Sequence, residues 1–199
     1  MTLAGLVGRF AAAVPVLLAL GGGCRSGVPT ETPGVTRVGA TALRYAGPEV
    51  EAIVSTRSAT AQSGEEWLFL DLAITGTGHS GVEVRRERVA LRVPDGGEIP
   101  LATQSEFGEA YPRLAAALAR ADVAAEPLDY FPARRSKRLD FLVAPGAGLA
   151  FDSVWVSDLE VATGRLCFSV PGGVQSGPYE LRIDLQESKV RIPFRLGER

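Results

Sequence analysis

The chain of 199 residues carries 21 Lys and Arg against 23 Asp and Glu, with a single histidine and two cysteines. A charge so nearly balanced argues against general nucleic-acid binding. One histidine leaves no His-rich zinc site, and it makes any Ser-His-Asp triad depend on that one residue.

At the N-terminus one cation, Arg9, precedes a run without charge from Phe10 to Gly23. This is the shape of a signal peptide. Its apolar core, 10–20, contains Pro15 and falls far short of the roughly 20 residues that a membrane span needs. The run closes on Leu20, Gly21, Gly22, Gly23 and Cys24. That ending resembles the bacterial lipobox, in which a leucine and small residues precede a lipid-accepting cysteine. The chain departs from the usual pattern by one position, with Gly21 where the leucine normally precedes two small residues. The resemblance implies a lipoprotein signal peptide over 1–23 and a mature chain whose Cys24 carries a diacylglyceryl thioether and an amide-linked chain. Two or more acyl chains anchor stably where one is marginal, at about 0.8 kcal/mol per buried methylene. In such lipoproteins an aspartate after the cysteine commonly signals inner-membrane retention. Here that residue is Arg25, which implies the outer membrane, facing the periplasm.

Loss of the signal removes Arg9 and no acid, and so moves the net charge from −2 to about −3. Acylation of Cys24 would leave Cys167 without a disulfide partner, and Cys167, in Arg-Leu-Cys-Phe-Ser-Val, reads as a small buried apolar residue on a strand. Residues 24–35 hold Ser26, Gly27, Pro29, Thr30, Thr32, Pro33 and Gly34 and read as a flexible tether. The eleven residues after Cys24 span at most about 35 to 40 Å. The remainder, 36–199, suits one domain with a sizeable core.

Most of that domain alternates with period two, the sign of half-buried strands. Residues 67–75 place Leu68, Leu70, Leu72 and Ile74 on one face and Trp67, Phe69, Asp71 and Ala73 on the other, which predicts a central strand. Val89, Leu91 and Val93 lead to the turn Pro94, Asp95, Gly96, Gly97, after which Ile99 and Leu101 return as the second arm of a hairpin. Parity switches between Val84 and Val89, so a bulge or loop is expected there. Near the C-terminus Tyr179, Leu181, Ile183 and Leu185 alternate with polar residues, and Val190, Ile192, Phe194 and Leu196 answer them across a short turn. A two-stranded hairpin is not stable alone, so a second sheet must cover its apolar face. Pro193 lacks a donor, which places 189–196 at a sheet edge. The stretch Gly177, Pro178, Tyr179, Glu180, Leu181 is similar to the strand start of many bacterial immunoglobulin-like domains, where the tyrosine packs at a sheet corner. The expected fold is therefore all-β: an immunoglobulin-like antiparallel β-sandwich. One segment breaks the rhythm, with Tyr111, Leu114, Ala115, Leu118 and Ala121 at helical spacing. It predicts one inserted amphipathic helix over 108–125, with Pro112 in its first turn and Arg113 and Arg120 on its polar side.

Candidate chemistry is sparse. Gly76, Gly78 and Gly81 match the spacing of a dinucleotide fingerprint, but the next segment, from Val82 to Val89, has no helical period, so no helix N-terminus receives a pyrophosphate. A Gly-rich strand connection is the expectation. His79 and Ser80 are sequence neighbours with no nucleophile elbow around them. Asp152, Asp158 and Glu160 are acids of the kind that ordinarily face water from strands and loops. These residues predict no enzyme and no cofactor or metal. Two basic clusters remain, Arg85 with Arg86 and Arg88, and Arg134, Arg135, Lys137 and Arg138. The second comes just after Tyr130 and Phe131, and cations beside aromatics suit an anionic or protein partner. The expectation is a membrane-anchored envelope lipoprotein that acts as a non-catalytic interaction or assembly module. Its contact surface would include Tyr130, Phe131, Arg134, Arg135, Lys137 and Arg138, facing an envelope protein partner. The alternative is a lipoprotein that binds a small ligand or glycan in a pocket at one end of the sandwich, with a hydrolase a distant third.

Overall fold

The computed structural model describes residues 32–60, 62 and 65–197. The signal segment and Cys24 lie outside the described residues. No helix among the described residues is long and apolar enough to cross a membrane.

The domain is mostly β. Among the described residues twelve strands run in the order β1 (Val35–Arg37), β2 (Ala42–Ala46), β3 (Val50–Ser55), β4 (Trp67–Gly76), β5 (Val82–Arg85), β6 (Val89–Arg92), β7 (Glu98–Pro100), β8 (Arg135–Arg138), β9 (Ser153–Val156), β10 (Glu160–Ser169), β11 (Gly177–Asp184) and β12 (Lys189–Leu196). A single turn of helix, α1 (Arg57–Thr60), comes after β3, and one long helix, α2 (Gln104–Ala124), comes after β7. The strands form a six-stranded sheet ordered β1-β2-β3-β4-β10-β8, a four-stranded sheet ordered β12-β11-β6-β7, and a β5-β9 ribbon. The period-two pattern explains the packing directly. Leu68, Leu70, Leu72 and Ile74 of β4 join Ala162, Leu166 and Phe168 of β10 and face Leu91, Leu181, Ile183, Val190 and Ile192 of the smaller sheet in one core. The arrangement is sandwich-like, as the alternation predicts.

Several elements fall where the sequence places them. β4 is central and buried along its whole length. The hairpin β11-β12 pairs Tyr179 with Phe194, Leu181 with Ile192 and Ile183 with Val190, and β12 with its Pro193 is an edge. A 3₁₀ turn, Arg86–Arg88, absorbs the parity switch between β5 and β6.

Four expectations are corrected. The larger sheet is not wholly antiparallel, because β8 pairs parallel to β10. Just past β8 the chain runs close over β10 at Leu139, where Gly164 makes room: a Cβ at Gly164 would stand 2.7 Å from the Leu139 carbonyl oxygen. The helix begins at Gln104 rather than 108 and ends at Ala124. Its start is fixed by a capping box, in which the Glu106 N–H donates to Thr103 Oγ1 (3.1 Å) and the Thr103 N–H donates to the Glu106 carboxylate (2.8 Å). Those Thr103 donors hold the Glu106 carboxyl below its ordinary range. Pro112 therefore lies inside the helix rather than in its first turn. Ala115 faces solvent, and the buried stripe is Phe107, Ala110, Leu114, Ala117 and Ala121.

This stripe covers Trp67, Phe69 and Cys167 on the outer face of the larger sheet. Two layers thus become three, the helix making the outermost one over that sheet. Charge reinforces the apolar contact. Arg165 of β10 donates from Nε to Asp71 of β4 at 2.8 Å and from Nη1 to Asp122 of α2 at 2.6 Å, while Ser58 Oγ of α1 donates to the other Asp71 oxygen at 2.7 Å.

Candidate functional site

The expected contact residues divide into two groups. Tyr130 and Phe131 are half-buried and pack, with Leu128, against Ala42, Ile53, Ala73 and Val161 on the outer face of the larger sheet. Small side chains at 42 and 73 leave the shallow seat that the rings fill. Glu126 pins the segment by accepting hydrogen bonds from Thr41 (2.8 Å), Ser55 (3.3 Å) and the Tyr130 hydroxyl (3.5 Å). Burial, and then the Glu126 charge, push the Tyr130 phenol above its ordinary range. Arg134 turns the same way, donating to Thr75 Oγ1 at 2.5 Å, with its guanidinium 5.1 Å from the Phe131 ring centre. These three residues hold a strap on the sheet.

Arg135, Lys137 and Arg138 form the other group, on the edge strand β8. Lys137 pairs with Glu160 at 2.8 Å, and Arg138 with Asp140 at 3.1 Å. The Lys137 ammonium lowers the Glu160 pKa. The other basic cluster is also engaged: Arg85 pairs with Glu83 at 2.7 Å and Arg86 with Asp152 at 3.0 Å. Solvent-exposed pairs of this kind contribute only about 0 to 1 kcal/mol.

The glycine-rich stretch 77–81 is a loop joining β4 to β5, and the next element is a strand rather than a helix. His79, 87% exposed, meets Asp158 with Nδ1 2.5 Å from a carboxylate oxygen. This pair ties the loop to the β9-β10 turn, aided by the Asp158 N–H donating to the Gly78 carbonyl at 3.0 Å. A histidine so exposed, on an open loop, is not enclosed by any wall that would orient a substrate. Asp152, Asp158 and Glu160 go to three separate partners, Arg86, His79 and Lys137. Among the described residues no three His, Cys, Asp or Glu side chains converge on one point.

Cys167 is buried beneath α2, and burial pushes its thiol up to about 12. The thiolate is the nucleophile, so Cys167 should resist iodoacetamide at pH 8 in the folded domain and react promptly in denaturant. Rapid labelling of the native domain would show that the helix does not stay seated.

A concave feature among the described residues lies elsewhere. A cleft of about 220 Å³ opens at one end of the two main sheets, with Val93, Ile99, Val170 and Tyr179 as apolar wall and Asp95, Glu98 and Gln175 as polar lining. Two turns build it. Asp95 accepts the Gly97 N–H at 2.8 Å, and Gly96, at φ +88°, supplies the conformation the β6-β7 turn requires. On the other side the Tyr179 hydroxyl donates to the Gln175 carbonyl at 2.8 Å and accepts the Gln175 N–H at 3.0 Å, while its ring stacks on Phe194 at 5.5 Å. One residue thus fixes both the strand start and the cleft wall. No protein-family model, curated protein or solved structure matches the chain.

Strand register fixes where the cleft stands relative to the point of chain entry. Val35 is opposite Tyr45, Tyr45 opposite Ala52, Ala52 opposite Ile74, and Ile74 opposite Ala162. Val170 of the cleft lies just past the far end of β10, about 25 Å further along at 3.3 Å per residue. Chain entry and cleft are at opposite ends of the domain.

The sequence marks the turn at 94–97 and Tyr179 separately, but nothing local says that they meet. Their meeting depends on Leu181 pairing with Leu91 across β11 and β6. Nor does strand alternation single out Trp155 and Leu159, both large, apolar and exposed.

Proposed function

We propose that this chain is a membrane-anchored lipoprotein of a bacterial envelope whose immunoglobulin-like domain is a non-catalytic recognition module, with the cleft as its recognition end. The anchor rests on the charge-free run that ends at Cys24. The immunoglobulin-like reading is supported by the Tyr179 corner, whose hydroxyl returns to the backbone four residues upstream. The observation that carries the functional reading is the polarity of the domain. A chain held by lipid near Val35 presents the cleft away from the bilayer, where a ligand has free access. Apolar walls with a few polar groups suit a small polar ligand or the end of a glycan chain.

The test is a thermal titration with soluble cell-wall glycan fragments. A ligand at a hundredfold its Kd adds about 2.7 kcal/mol of stability. The melting temperature should rise in wild type and stay unmoved in Gln175→Trp, which fills the mouth. A wild-type shift that survives in Gln175→Trp would remove the cleft from the proposal.

The second reading is an assembly contact with an envelope protein through β8, favoured by the exposure of Arg135 and Arg138 on a sheet edge. Changing Arg135 and Arg138 to Glu together would then weaken recovery of a crosslinked partner. Unchanged recovery would exclude that surface.

A further inference from the structure

We infer that the chain-entry end of the domain rests on the bilayer itself, with Trp155 and Leu159 at the boundary between headgroups and acyl chains. Six large apolar side chains are exposed among the described residues, and four of them, Leu149, Phe151, Trp155 and Leu159, fall within eleven consecutive positions. Trp155 is 57% exposed and Leu159 62%. Val156, next to Trp155, turns into the core, so the indole occupies the outward position of the β5-β9 ribbon, where alternation would place a polar residue. Gly81 beside it carries no side chain, and a Cβ there would stand 3.1 Å from the ring.

Both residues lie at the end where the chain enters. The Gly76 N–H donates to the Ser157 carbonyl at 3.2 Å, the Thr77 N–H to the Glu49 carbonyl at 3.0 Å, and the Arg135 N–H to the Leu159 carbonyl at 2.9 Å. Gly76 is opposite Val50, at the same end of the sheet as the Val35-Tyr45 pair. Nearby, Glu83 pairs with Arg85 and Glu160 with Lys137. Arg135 adds an exposed cation beside Leu159. Tryptophan favours this interface over water and over the acyl interior.

This inference rests on the lipid anchor proposed above, because the anchor supplies the proximity. Ten residues between Cys24 and Val35 keep the entry end within about 35 Å of the acyl chains. At the resulting effective concentration a contact too weak to bind alone becomes saturated. The second contact adds to the acyl chains as paired membrane signals do.

The test uses two forms of the protein, the acylated mature chain and the acyl-free domain 32–199, which holds the whole core. Each is mixed with phosphatidylethanolamine and phosphatidylglycerol vesicles, with and without bromine on the acyl chains, and tryptophan emission is read. The chain has two tryptophans, Trp67 and Trp155. The Trp155→Phe variant of each form isolates the Trp155 signal without disturbing buried Trp67. The expected result for the acylated chain is a blue shift and at least a twofold loss of Trp155 emission on brominated lipid. For the acyl-free domain the same loss should appear only at millimolar lipid, and Leu159→Asp should reduce it severalfold. Emission from Trp155 that ignores bromine in both forms would overturn the inference and assign the surface to a protein partner. Intact mass of the native chain extracted from its own membranes separates the two proposals: quenching in the acyl-free domain with no acyl mass on the native chain keeps the surface and discards the anchor.

Discussion

Asp71→Ala should destabilise the domain by about 3 to 5 kcal/mol, more than any other single change to a polar side chain. The Asp71 and Arg165 side chains are only 11% and 16% exposed and stand 2.8 Å apart. Burial works against the Arg165 charge, yet the Asp71 and Asp122 carboxylates outweigh it and raise its pKa. With Asp71 gone, the guanidinium stays under α2 with only the exposed Asp122 beside it, and Ser58 loses its acceptor. Leaving one partner of a buried pair unmatched costs about 3 to 5 kcal/mol, whereas replacing both by apolar groups is often neutral. At about 2 to 4 °C per kcal/mol for a domain of this size, the melting temperature should fall by roughly 10 °C. The double variant Asp71→Ala with Arg165→Met should recover most of that loss. A single-variant loss below about 1 kcal/mol would mean that the pair is solvated and does not hold α2 to the sheet.

Phe168→Ala should cost about as much for a different reason. Phe168 is fully buried in the core between the two main sheets, and removing a buried ring costs about 3 to 5 kcal/mol in lost transfer energy and cavity. Phe69→Ala is the informative contrast. Phe69 is just as buried but lies on the other face of the same sheet, under α2. Both should lower the denaturant midpoint. Amide exchange should separate them, with Phe69→Ala releasing protection in 104–124 while β11 and β12 keep theirs. Phe168→Ala should weaken protection in both sheets together. Val123→Ala, on the solvent side of α2, should stay within about 0.5 kcal/mol of wild type. Equal loss of protection everywhere in both phenylalanine variants would contradict the three-layer arrangement.

Parts of this fold are legible in the sequence because one physical rule determines them. β4 and the β11-β12 hairpin alternate strictly and bury what the alternation assigns to the core. The turn at 94–97 has the residues its geometry demands. The helix start is harder to place, because Pro112 suggests a first turn while Thr103 and Glu106 carry the capping-box spacing that actually sets it. Proline is accommodated within the helix because it lies on the exposed side, away from the packed stripe. β8 has no apolar alternation at all; it is a strand because β10 pairs with it, a long-range fact absent from Arg-Ser-Lys-Arg. The residues expected to form a contact surface show the same limit. Cations beside aromatics read as one surface, but Ala42 and Ala73, remote in sequence, form the seat that draws Tyr130 and Phe131 inward. The cleft is likewise the product of pairing between distant strands.

Intact mass and N-terminal analysis of the protein extracted from its own membranes test the anchored reading most directly. The proposal predicts a chain that begins at Cys24 and carries the added mass of a diacylglyceryl group and a third acyl chain, with Cys24→Ser losing that mass and leaving the membrane fraction. A native chain that starts at any other residue, or that starts at Cys24 with no acyl mass, would contradict it.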